Sequence, residues 1–319
     1  MRYETELTRR LGVAYPIIQA PMASASTPKL VAAVSNAGGL GSLGAAMMPP
    51  GAIRDAIRAI RQLTDRPFNI NLFTHQVPPA EPQKQAALKA RVDAYIRALG
   101  GDPATLPAPP GLPSITDQID AVLDERPPVF SFTFGVLGSE VIAEMKRRHI
   151  AVFGTATTVE EGKALAAAGV DAVVAQGSEA GGHRGTFMGA VEDALIGTMA
   201  LVPMMVDAVE LPVIAAGGIM DGRGVGAALM LGAQGVQMGT AFLACPENDA
   251  VNPVWRDTLL NDASRGTVLS RAYTGRHCRF IRNKYLAEMH PSDAEIPAFP
   301  HSMAVVGPLR ALAAQQGNP

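Results

Sequence analysis

The group in this sequence best suited to move a proton is His183. It stands in the run Gln176-Gly177-Ser178-Glu179-Ala180-Gly181-Gly182-His183-Arg184-Gly185, with glycines on one side and Arg184 on the other. Imidazole titrates near neutral pH, so it can act there as base or acid. Core histidines seldom sit in glycine-rich loops, and loops on a rigid scaffold carry function disproportionately. The competing reading is a histidine held by a structural hydrogen bond. His75, His149, His277, His290 and His301 have no comparable setting, and their spacing shows no H-E-x-x-H or similar metal pattern. His149 ends a basic helical turn and reads as solvated.

Two further runs suit an anion. Ala215-Ala216-Gly217-Gly218-Ile219 and Gln237-Met238-Gly239-Thr240 each end a short apolar stretch. Glycine lets a ligand approach main-chain N–H groups because no Cβ stands between, and Thr240 adds a hydroxyl donor. Ordinary tight turns are the alternative. Asn69 and Asn71 lie two apart on an expected strand, so they face the same way. Such amides can hold the edge of a heteroaromatic ring, or they can form a polar layer inside a barrel. Pro21 ends the stretch Ile18 to Met22, because it has no N–H with which to continue a central ladder. Ala20 and Met22 are thereby left near the strand's end.

These groups need strands to carry them. Short apolar runs occur at 17–22, 40–43, 68–73, 129–134, 150–155, 172–176, 212–216 and 235–239. Helical patterns separate them at 28–37, 50–63, 140–149, 159–168, 191–209 and 222–231. Thr27-Pro28 has the form of a helix start, an N-cap followed by proline at the first helical position. Eight strands alternating with helices predict an α/β fold of the (β/α)8 TIM-barrel type. An open doubly wound sheet would want G-x-G-x-x-G after the first strand, and 17–26 holds no glycine. In a barrel, the loops after strands seven and eight often bind phosphate, which favours the anion reading of Gly217, Gly218 and Gly239. Two segments break the rhythm. The stretch 77–128 is crowded with prolines, with a helix expected over 83–99, and 245–300 is polar; within them 77–114 and 245–299 read as insertions forming a substrate cap. The barrel is then 1–76, 115–244 and 300–319.

Composition excludes several classes. The 319 residues are 48% hydrophobic and 18% charged, which describes a well-packed protein rather than a disordered one. A net charge of −2 and 5% aromatics do not fit a nucleic-acid binder. Cys245 and Cys278 are too few for a disulfide scaffold or a cysteine-rich zinc site. The first ten residues lack the apolar core of a secretory signal, and no apolar run is long enough to span a membrane. A cytoplasmic protein is expected, with homo-oligomerisation left open.

From Ile17 to about Leu243 the chain resembles the nitronate monooxygenase family. The run from Asp171 to Gly185 carries the resemblance most specifically. Ala20-Pro21-Met22 and Ser35-Asn36-Ala37-Gly38-Gly39 precede it, and Ala216-Gly217-Gly218-Ile219 and Gln237-Met238-Gly239-Thr240 follow it. The resemblance implies an FMN-bearing TIM barrel that oxidises alkyl nitronates, such as propionate 3-nitronate, with O2 to a carbonyl compound and nitrite. It implies FMN contacts at Ala20, Pro21, Met22, Asn69, Gln176, Gly181, Gly217, Gly218, Gln237, Met238, Gly239 and Thr240, and His183 as the catalytic residue. Met22, Thr133 and Phe299 would shape the substrate side. Members of the family place histidine where Thr133 stands and tyrosines near Phe299 and Met303, so substrate choice is where this chain departs. FMN-dependent enoyl-acyl-carrier-protein or quinone reductases using NAD(P)H share the glycine and histidine motifs. A flavin-free phosphate-binding lyase or isomerase would instead want a strand-end lysine or paired carboxylates. Lys29 and Lys163 fall on expected helices, leaving Glu179 as the strand-end carboxylate to watch.

Overall fold

The computed structural model describes residues 4–74, 76–107, 109 and 111–318, so His75 lies outside the described residues. The strands in chain order are β1 (Ile17–Gln19), β2 (Gly41–Gly44), β3 (Phe68–Phe73), β4 (Val129–Thr133), β5 (Ala151–Ala156), β6 (Ala172–Gln176), β7 (Gly182–His183), β8 (Val213–Ala216), β9 (Gly235–Met238), β10 (Thr267–Ser270) and β11 (Cys278–Ile281). Eight of them form one parallel sheet in the order β1-β9-β8-β6-β5-β4-β3-β2. Bridges Ile18–Leu40 and Ala23–Gly44 join the first and last strands of that order, closing the barrel. The Gln19 side chain adds to the seam: its amide donates to the Ser42 carbonyl at 3.0 Å and accepts from the Ser42 N–H at 2.9 Å.

Period-two alternation explains both layers of this barrel. Ile70 and Leu72 of β3 face outward into the helix layer, and Asn69 and Asn71 face inward. Along β4, Phe130 and Phe132 point out, while Val129, Ser131 and Thr133 line the interior in that order. The interior is therefore apolar toward the strand starts, through Ile18, Leu40, Val129, Phe153 and Ile214, with Leu7 of helix Glu6–Leu11 packed against them. It turns polar toward the strand ends. Helix Pro50–Leu63 shows how the outer layer is built: proline stands in its first turn, and Ile53, Ile57 and Ile60 are fully buried at i, i+4 and i+7. Each of those isoleucines contributes about 1.5–3 kcal/mol by leaving water.

Contacts divide the chain into two compact units. The first holds Met1–His75, Pro113–Ala180 and Gly185–Ala250, and contains the barrel. The second holds Gln76–Leu112, Gly181–Arg184 and Val251–Pro319. Its antiparallel sheet runs β10-β11-β7, and its core gathers Leu88, Val92 and Ile96 with Tyr285, Leu286, Met289, Val306 and Leu309. Residues 300–319, expected with the barrel, fall in this second unit. Helix His301–Gln315 buries Val306 and Leu309 against helix Pro82–Ala98, which takes the place of the helix expected over 83–99. Two helices differ from expectation. The run 191–209 breaks into a 3-10 turn at Glu192–Ala194 and a helix Thr198–Ala208 that starts after Gly197. Helix Ile115–Glu125, capped by the Ser114 hydroxyl, emerges from the proline-rich stretch that masked it. Among the described residues no helix is long and apolar enough to cross a membrane.

Candidate active site

The polar strand ends of the barrel unit carry several of the expected residues. Asn69 Nδ2 donates to Ser42 Oγ at 3.1 Å and to Ser131 Oγ at 2.9 Å, and Asn71 Nδ2 donates to Ser131 Oγ at 3.0 Å. Asn69 is 1% exposed, and its Oδ1 has no hydrogen-bond partner. An orphaned buried acceptor costs roughly 1–3 kcal/mol, so this amide is set to receive a donor that the protein does not itself provide. The asparagines form the polar layer that was one of the two readings, and that layer leaves the Asn69 Oδ1 without a protein partner.

Further expected residues stand at strand ends. Ala20 donates its N–H to the Met238 carbonyl at 2.8 Å, and a Cβ on Gly239 would lie 3.6 Å from the Ala20 Cβ and 4.0 Å from the Met22 sulfur. Ala20, Met22, Met238 and Gly239 thus form one cluster. Thr133 and Thr155 hydroxyls approach to 3.4 Å, and Gly185 donates its N–H to Gln176 Oε1 at 2.8 Å. Phe134, just past β4, takes φ +81, which costs a bulky residue on the order of 1–3 kcal/mol. The Phe73 ring, 4.5 Å away between centroids, packs against it.

Gly217 and Gly218 take φ +113 and +70, in the left-handed range. A Cβ on Gly217 would sit 2.9 Å from the Ala180 nitrogen and 3.0 Å from Thr198 Oγ1, so the loops after β6 and β8 pack main chain to main chain. Glu179 caps helix Thr198–Ala208: its carboxylate accepts the Thr198 N–H at 2.9 and 3.0 Å and the Thr198 hydroxyl at 2.9 Å. Glu179 is thus engaged as a helix cap, and Lys29 and Lys163 are exposed on helices Pro28–Asn36 and Val159–Ala168.

Sequence reading missed Glu161. It is fully buried, and its carboxylate accepts the Thr157 N–H and hydroxyl at 2.6 and 2.7 Å, the Met188 N–H at 2.8 Å and the Phe187 N–H. Four donors stabilise the buried charge and tie residues 187–188 to the turn after β5. No motif marks such a residue, since a glutamate in the first turn of a helix ordinarily reads as solvated.

The second unit holds His183, and here the loop reading changes. Gly182–His183 is the two-residue strand β7, with His183 opposite Cys278 and Gly182 opposite Arg279. The Arg184 N–H extends the pairing to the His277 carbonyl at 2.8 Å. Gly181, expected among the cofactor contacts, belongs to this unit and is exposed. His183 Nε2 lies 3.0 Å from Thr274 Oγ1, and the Phe299 ring meets the imidazole edge-on at 5.9 Å between centroids. Phe299, read as a substrate residue, is buried against that imidazole. Burial pushes the Cys278 thiol up, so at neutral pH it is a protonated core side chain rather than a nucleophile. His149 is exposed as expected.

Comparison with known proteins gives a consistent result. A family model described as nitronate monooxygenase matches residues 4–319. A probable nitronate monooxygenase of Staphylococcus saprophyticus is 43% identical over 320 residues, covering 100% of this chain and 90% of that one. Its counterpart from Staphylococcus aureus strain Newman is 41% identical over 322 residues, covering 99% and 88%. Among solved structures, nitroalkane oxidase from Streptomyces ansochromogenes is similar with a TM-score of 0.89 and 38% identity, over 98% of this chain and 88% of that one. FabK from Thermotoga maritima is similar with a TM-score of 0.71 and 33% identity, over 92% and 79%.

Proposed function

We propose a function from one premise: this chain belongs to the nitronate monooxygenase family. It is an oxidoreductase that oxidises alkyl nitronates with O2 to a carbonyl compound and nitrite. Its cofactor is FMN, held by Ala20, Pro21, Met22, Asn69, Gln176, Gly181 and the strand-end run Gln237, Met238, Gly239 and Thr240. The phosphate lies on Gly217, Gly218 and Gly239.

The observation that carries this reading is Asn69 Oδ1, buried at the polar end of the barrel interior with no partner. A flavin ring edge offers an N–H donor beside carbonyl acceptors, and an acceptor fixed by two serines fits that donor. Gly218 is left-handed and exposed, which suits a phosphate approaching the main chain there. FMN, when bound, supplies two-electron chemistry and reactivity toward O2, which no side chain offers.

The chain's own groups do the rest. With a neutral nitroalkane, the His183 imidazole removes the proton from the carbon bearing the nitro group, leaving the nitronate anion. With a nitronate as substrate, the imidazolium holds the anionic oxygens instead. Met22, Thr133 and Phe299 line the substrate side. Threonine at 133 offers a hydroxyl where the family pattern has an imidazole, so a single imidazole, His183, carries the proton chemistry in this proposal.

Anaerobic mixing of the purified yellow protein with propionate 3-nitronate, and separately with NADH, tests the assignment. Bleaching of the flavin absorbance by the nitronate, with no change on adding NADH, is the expected outcome. Bleaching by NADH alone would make the protein a nicotinamide-dependent flavin reductase. A colourless protein that does not take up FMN would end the flavin reading.

A further inference from the structure

We propose that Glu161 is a positioning residue for Gln176, acting through the segment 185–188. The inference rests on the reading of Gln176 as a cofactor contact. Each oxygen of the buried Glu161 carboxylate takes two donors. Oε2 accepts the Thr157 N–H at 2.6 Å and the Thr157 hydroxyl at 2.7 Å. Oε1 accepts the Met188 N–H at 2.8 Å and the Phe187 N–H. The Thr157 hydroxyl has one proton, and the carboxylate receives it. The Thr186 hydroxyl, 2.8 Å away, therefore donates to the Thr157 oxygen. Residues 186, 187 and 188 are thus all tied to one carboxylate, or to the threonine bonded to it.

The residue before them is Gly185, whose N–H donates to Gln176 Oε1 at 2.8 Å. Gly185 is buried, and a Cβ there would fall 3.0 Å from Thr155 Cγ2, 3.3 Å from Gln176 Oε1 and 3.4 Å from Thr133 Cγ2. The glycine backbone therefore lies directly against the ends of β4, β5 and β6. Glu161 grips the β5 side of the same contact, because Thr157 follows β5 directly. One carboxylate thus fixes the end of β5 to the segment that carries the Gly185 N–H. An N–H can pair only with the oxygen end of an amide, so this bond favours one orientation of Gln176 whatever else the side chain meets. The link is invisible along the chain, because Glu161 lies 26 and 27 residues from Phe187 and Met188.

Two substitutions and their combination test the coupling. Glu161→Gln keeps the shape of the side chain and replaces one acceptor oxygen by a donor. Gln176→Leu keeps the bulk and removes the amide. The full-length enzyme is stripped of flavin and titrated with FMN, and quenching of FMN fluorescence gives Kd. Glu161→Gln should raise Kd roughly 10-fold, within the range for residues that share one hydrogen-bond network. In the Gln176→Leu background the same change should move Kd less than about twofold, because the group it acts through is gone. A merely structural loss would raise Kd by the same factor in both backgrounds, and that result would overturn the proposal. Should Glu161→Gln fail to fold, amide hydrogen exchange in the wild-type holoenzyme decides. The Gly185, Phe187 and Met188 N–H groups should exchange through one shared opening. Gly185 exchanging through a separate, more frequent opening would refute the link. If Gln176→Leu binds FMN like the wild type, the cofactor reading of Gln176 fails and the inference falls with it. If Gln176→Leu weakens FMN binding while Glu161→Gln does not, only the present inference fails.

Discussion

Gly218 is the residue at which the proposed phosphate contact can be tested apart from folding. Its φ of +70 lies where a β-branched side chain is strained, and a Cβ would stand 3.3 Å from the Glu179 Cβ. Gly218→Val should purify with little flavin, because its methyl groups stand where the phosphate approaches the main chain. The 450 nm region of the absorbance spectrum after dialysis against FMN checks it, and full flavin content would contradict the phosphate placement. Gly218 is exposed, so the variant fills solvent rather than core, and the barrel should survive. At this scale the glycines and His183 were readable from residue type alone, since each is marked by what its neighbours lack. Asn69 was readable as an inward-facing amide, but its unpartnered oxygen was not. That depends on both serine hydroxyls, at 42 and 131, taking the same Nδ2.

At the scale of elements, buried polar groups hold the loops that local propensity leaves loose. Glu161 does this for residues 187–188. Glu161→Ala would leave the Thr157, Phe187 and Met188 donors without their acceptor. The loss should be about 3 kcal/mol or more, given 1–3 kcal/mol for each unsatisfied buried donor and partial relaxation. The midpoint of denaturant unfolding checks it, and an unchanged midpoint would mean that water replaces the carboxylate without cost. The eight barrel strands were legible because alternation is carried by neighbours two residues apart. Strand β7 was not, since two residues have no period and its pairing with Cys278 and Arg279 is made across the chain. The broken helix at 191–209 has the same kind of cause: Gly197 interrupts it, and Glu179, from another loop, caps the new start.

The second unit carries tyrosines that respond to alkaline pH. In the second unit, Tyr95 and Tyr273 both pack against Tyr285, at 5.2 and 4.7 Å between ring centroids. Burial, followed by the hydrogen bond to Glu288, pushes the Tyr95 phenol up to about 12. Burial likewise raises Tyr273 and Tyr285. The neutral phenol is the form the fold prefers, so this stabilisation is complete below the ordinary tyrosine value near ~10 and is lost as pH rises through the raised values. Phenolate absorbance titrated on the wild type and on Tyr95→Phe should differ by a group ionising near pH 12. The near-UV dichroism of the tyrosines should collapse together with that ionisation. A difference spectrum centred near ~10 with the dichroism intact would refute the packing. Here too the chain alone was a partial guide. It was enough to establish an eight-stranded barrel with polar strand ends, because Val129, Ser131 and Thr133, or Val174 and Gln176, record in their own order how deep each position lies. It did not place the terminal helix, which follows Leu88, Val92 and Ile96 into the second unit, nor the hydroxyl that meets His183. Alternation within a strand is a local property that survives in one dimension. Which distant segments share a core or a hydrogen bond is settled only when the whole chain competes for the same buried space.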